Sequence, residues 1–158
     1  MNRVVIYGYG NPGRQDDGLG PALAEKIGTD QIPGVLTESN YQLNIEDAAL
    51  IAEADCVIFV DASLTGEEGF FFDEIEPADG ITFTTHAISP QSVLALCEEL
   101  FGKKVRAYIL GIKGYGWDFA EGLTPEAEKN FDDAYRFLRG TLDDLITGSP
   151  EGRALTLN

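Results

Sequence analysis

Residues 4–20 read Val-Val-Ile-Tyr-Gly-Tyr-Gly-Asn-Pro-Gly-Arg-Gln-Asp-Asp-Gly-Leu-Gly, an apolar strand, a turn built on glycine and two aspartates ahead of a helix. A strand of this kind has no polar face to offer water, so it belongs inside a sheet covered on both sides. Gly8, Gly10 and Gly13 fit the G-x-G-x-x-G spacing of a dinucleotide-binding turn, and Glu38 stands roughly where a ribose-binding acid would stand. Asp16 and Asp17 oppose that reading. A pyrophosphate needs the amides and the positive dipole end of the following helix, and two carboxylates there suit a cation better.

The rest of the chain repeats the strand-then-helix alternation. Strands are predicted at 3–9, 34–38, 56–61, 69–75 and 104–112, and helices at 18–28, 44–54, 89–101 and 124–146. Two helices carry their own start signals, Ser89-Pro90 and Thr124-Pro125, each a hydroxyl cap followed by proline at the first helical position. The expected fold is one three-layer α/β domain over 1–146, a mostly parallel twisted sheet of about five strands with helices on both faces. Residues 147–158, rich in Gly, Ser and Pro, are expected to form a flexible tail.

Parallel sheets bind ligands where the strands end. Asp16 and Asp17 follow the first strand, Glu38 closes the second and Asp61 closes the third, so the acids gather at one edge. Asp61 ends an apolar strand, where a carboxylate is poorly solvated unless paired or bound to metal. His86 is the single histidine, in a turn ahead of the third helix, and it could reach the same edge. Two carboxylates and an imidazole suit a divalent first-row ion with positions left open.

Composition removes several classes of function. With 27 Asp plus Glu against 11 Lys plus Arg, a formal charge of −16 repels nucleic acid and anionic membranes. There is no basic leader and no apolar run near the ~18 residues of a spanning helix, so a cytoplasmic location is expected. Cys56 and Cys97 sit in apolar runs without C-x-x-C spacing and read as core residues. No G-x-S-x-G elbow is present.

Taken together, Gly8-Tyr9-Gly10-Asn11 with Asp16-Asp17-Gly18-Leu19-Gly20, then Val60-Asp61-Ala62, Thr84-Thr85-His86, Leu110-Gly111-Ile112 and Gly122-Leu123-Thr124-Pro125, resemble the hydrogenase maturation proteases over roughly residues 3–140. The resemblance implies an endopeptidase that removes the C-terminal extension of a nickel-iron hydrogenase large-subunit precursor after nickel insertion. It implies Asp17, Asp61 and His86 as catalytic and metal-binding residues. Nickel would then be carried by the substrate, with no organic cofactor. Asp16 is expected to serve mainly as a helix cap, worth about 1 kcal/mol. Two features depart from the family pattern: Glu38-Ser39-Asn40 replaces Asp-Gly-Gly after the second strand, and the histidine precedes Ser89-Pro90 instead of following it at Gln91. The Tyr41-Gln42-Leu43 segment is closer to the branch serving bidirectional, NAD-linked hydrogenases. The competing readings are a nucleotide-binding module on Gly8, Gly10, Gly13 and Glu38, and a nickel-dependent checkpoint that binds the precursor without cutting it. The acidic surface favours a partner with basic character near its extension.

Overall fold

In the computed structural model, which describes residues 1–66, 69–80 and 88–148, five strands form one sheet. They are β1 (Val4–Tyr9), β2 (Val35–Asn40), β3 (Cys56–Ser63), β4 (Phe70–Ile75) and β5 (Arg106–Lys113), in the order β2-β1-β3-β5-β4. All neighbours are parallel except β4, which runs antiparallel to β5 along the far edge. The helices are α1 (Leu19–Thr29), α2 (Asp47–Ile51), α3 (Pro90–Phe101) and α4 (Pro125–Thr147).

Side chains alternate across each central strand, and both faces are apolar. Val4, Ile6, Ile58, Val60, Leu110 and Ile112 pack under α1 and α4, whereas Val5, Tyr7, Val57, Phe59 and Ala107 pack under α2 and α3. The continuous apolar runs of β1 and β3 follow from this double coverage. Ser89 caps α3 by accepting the Ser92 N–H at 3.1 Å, and Thr124 caps α4 by accepting the Ala127 N–H at 3.4 Å, with proline next in both cases. The α4 stripe is buried through Ala127, Ala134, Leu138, Leu142 and Leu145. Cys56 and Cys97 are buried free thiols, and burial pushes them up to about 12 and about 11, as befits core residues.

The second helix is shorter than the predicted 44–54. Its entry is tightened by i to i−3 bonds, Asp47 N to Asn44 O and Ala48 N to Ile45 O. Asp47 is also engaged elsewhere, accepting the Tyr7 hydroxyl and the Asn44 N–H, both at 2.8 Å. Among the described residues no helix is long and apolar enough to cross a membrane. The predicted tail falls almost wholly outside the described residues, since α4 runs to Thr147 and closes on Gly148 in a left-handed conformation.

Candidate active site

The strand order places the switch point between β1 and β3, where a parallel sheet opens a crevice at its carboxyl edge. β1 delivers Tyr9 and the glycine turn to that crevice, and β3 delivers Asp61, paired in register with Gly111 of β5. Glycine is required where the layers touch. A side chain on Gly8 would collide with the Gly20 carbonyl at the start of α1, and one on Gly20 would strike the carbonyls of Val60 and Tyr9. The helix mouth therefore sits directly on the two strands that carry the acids.

Between β1 and α1 the chain forms a 3-10 segment, Pro12–Gly18, kinked at Arg14 and Gln15. Every backbone donor from Gly10 to Asp16 is satisfied by an oxygen of the chain itself. Gly10 donates to Asn40 O, Arg14 to Asn11 O, Gln15 to Ala120 O and Asp16 to Gly116 O, while Asn11 donates to the Asp17 carboxylate at 2.7 Å and Gly13 to the Asn11 side chain at 2.8 Å. Pro12 has no N–H to give. A phosphate cradle requires those donors to be free. The G-x-G-x-x-G spacing here serves close helix packing and anchors Asp17, and the donors of the turn are already taken.

Asp17 and Asp61 share the crevice. The Asp61 carboxyl is pushed up to about 7, first by burial and then by the neighbouring Asp17 charge, against the Ala62 N–H and the Tyr9 hydroxyl, which favour its ionised form. Tyr9 is itself raised, by burial and by its contact with Asp61. No Lys or Arg among the described residues forms an ion pair with either acid. Two neighbouring acids in a partly buried crevice, with no such partner among the described residues, favour a cation from outside. His86, the third residue proposed from sequence, lies outside the described residues. Among the described residues no group of three or more His, Cys, Asp or Glu is placed to hold a metal ion, so the two carboxylates supply only part of such a set.

Two expectations need correction. Neither Asp16 nor Asp17 caps α1, whose N-cap is Gly18 with no side-chain bond. Asp16 is fully buried and accepts four hydrogen bonds: Tyr115 N–H at 2.7 Å, Gly116 N–H at 2.9 Å, Thr124 N–H at 2.8 Å and Thr124 Oγ1–H at 2.7 Å. It ties the turn to the loop after β5. Glu38 also does not close its strand, since β2 continues to Asn40. It is exposed in mid-strand, beside Tyr7, and the residue that meets the glycine turn is Asn40. Sequence reasoning missed Tyr9 as a partner of Asp61. The available signal was a phenol ending an apolar strand one residue before the turn glycine.

A mostly parallel five-stranded sheet with β4 antiparallel at its edge and helices on both faces is the fold seen in solved hydrogenase maturation proteases. Several solved structures share it. The [NiFe] hydrogenase maturation protease HycI from Thermococcus kodakarensis is 24% identical, with 90% of this chain and 93% of that chain covered and a TM-score of 0.70. The hydrogenase maturating endopeptidase HybD from E. coli is 19% identical over 90% and 93% of the two chains, TM-score 0.69. A further endopeptidase from Escherichia coli is 17% identical over 90% and 93%, TM-score 0.68. No protein-family model and no curated protein matches the sequence.

Proposed function

We propose that the protein is an endopeptidase of hydrogenase maturation, which removes the C-terminal extension of a nickel-iron hydrogenase large-subunit precursor once nickel has been inserted. The observation that carries this reading is the pairing of Asp17 with Asp61 in one crevice with no Lys or Arg ion pair to either acid among the described residues, on a fold shared with proteins of that activity. Nickel in this reading arrives with the substrate. Asp17, Asp61 and His86 are the residues that would meet it. The donor chemistry fits, because a bound cation would offset both the burial that chiefly pushes Asp61 up to about 7 and the repulsion from Asp17 that adds to it. A carboxyl poised near neutrality can also take a proton from an attacking water and return it to the departing amine.

The test is incubation of the protein with nickel-loaded and nickel-free precursor from one source, with the precursor mass as readout. Loss of a C-terminal peptide from the loaded form alone supports a nickel-gated endopeptidase. Binding without a mass change would replace it with the checkpoint reading, and neither binding nor cleavage would overturn both. Asp17→Ala, Asp61→Ala and His86→Ala should each lower processing by about 100-fold or more, the scale of losing a group that acts in the transition state.

A further inference from the structure

Resting on the peptidase reading, we propose that loop 114–123 is a preformed docking platform for the protein substrate, with Phe119 its anchor and Asp118 and Glu121 its selectors. The occupant is an apolar stretch of the precursor flanked by lysine or arginine. The loop leaves the sheet beside the acids, since β5 ends at Lys113 and the next N–H, of Gly114, donates to Ser63 O at 2.9 Å, two residues past Asp61.

It is held by the very turn that carries Asp17. Arg14 Nη2 donates to Trp117 O at 3.0 Å, Gln15 N to Ala120 O at 2.8 Å, and Asp118 N to Gln15 Oε1 at 3.1 Å, in addition to the bonds that Tyr115 and Gly116 make to Asp16. Gln15 takes a left-handed φ of 49° to make them, a conformation unfavourable for a residue with a Cβ. Yet the loop so held presents Phe119 at 87% exposure, with the Arg14 guanidinium 5.2 Å from the ring centroid. A large apolar side chain on a rigid support loses little conformational freedom when it docks, and such aromatic anchors concentrate binding energy at protein interfaces. Asp118 and Glu121, both exposed and outside every ion pair among the described residues, flank it. On a chain of net charge −16 they select for a basic neighbour of the apolar residue.

Precursor binding and precursor cleavage are measured side by side for the unaltered protein, Phe119→Ala, Phe119→Trp, the Asp118→Asn/Glu121→Gln double variant and Leu100→Ala, an exposed residue on α3 as control. Phe119→Ala should weaken binding and raise KM by about tenfold or more while kcat changes less than about twofold, and Phe119→Trp should restore KM. The double variant should flatten the salt dependence of binding, and Leu100→Ala should match the unaltered protein. A Phe119→Ala protein that binds as tightly as the unaltered one overturns the platform. Binding without cleavage by the unaltered protein overturns the peptidase reading alone, since the platform is then judged from binding.

Discussion

Asp16 and Thr124 stand 108 positions apart, yet the Asp16 carboxylate accepts both the backbone N–H of Thr124 at 2.8 Å and its hydroxyl at 2.7 Å. The start of α4 is thereby fastened to the turn that leads into α1. Thr124 is also the N-cap of α4, so a single buried carboxylate sets the entry of the longest helix and the position of the loop before it.

Asp16→Asn should therefore cost roughly 2–3 kcal/mol, because an amide nitrogen cannot accept the N–H groups that a carboxylate oxygen does, and donors would be left unpaired in the interior. Urea unfolding measures this directly. Burial on its own would raise the Asp16 carboxyl, but hydrogen bonds from Tyr115, Thr124 and Gly116 outweigh it and hold the group below its ordinary range. The sign follows: this contribution is fully present above the unfolded carboxylate value near 3.9 and is lost as pH falls through the lower folded value. The destabilisation by Asp16→Asn should accordingly be full at pH 6 and shrink in strong acid.

Asp61 has the opposite sign. Its folded value near 7 lies above the unfolded one, so the native state binds the extra proton and is weakened as pH rises from about 4 to about 7, by at most about 1.4 kcal/mol per pH unit. Asp61→Asn should remove that slope. Denaturant midpoints at pH 5 and pH 8 should converge in the variant, which should be the more stable protein at pH 8. Equal slopes in the two proteins would rule out the buried acid pair.

Tyr9→Phe removes the hydroxyl that favours ionised Asp61, so the carboxyl should titrate higher still. An NMR titration of the Asp61 side-chain carbon reads the shift, with little change expected in the fold because the ring stays in place. An unchanged or lower value would show that the phenol does not act on Asp61.

Gly8→Ala should be severe. The added methyl would collide with the Gly20 carbonyl, which belongs to the backbone of the helix start and cannot rotate away. Overpacking of this kind should cost about 3 kcal/mol or more, seen as a lower thermal midpoint or as insoluble protein.

The strands were legible because β1, β3 and β5 are apolar on both faces, and the starts of α3 and α4 because Ser89-Pro90 and Thr124-Pro125 advertise themselves locally. That Asp61 lies near Asp17 was legible for the same reason, as a charge ending an apolar run, although β3 continues past it to Ser63. What sequence could not show is anything settled by distant partners. The donors to Asp16 lie at Tyr115, Gly116 and Thr124, so from the local pattern it looked like a helix cap. The antiparallel direction of β4 depends on pairing with β5, and the exposure of Glu38 depends on β2 lying at the sheet edge.

The glycine turn has a consequence for selectivity. Its donors are occupied by Asn40, Asn11, Asp17, Ala120 and Gly116 before anything binds. Asp17 is thus held from the backbone, through the Asn11 N–H on one of its carboxylate oxygens. A crevice of that kind would discriminate as a gauge does, accepting or refusing the shape and charge presented to it, with any adaptation left to what enters.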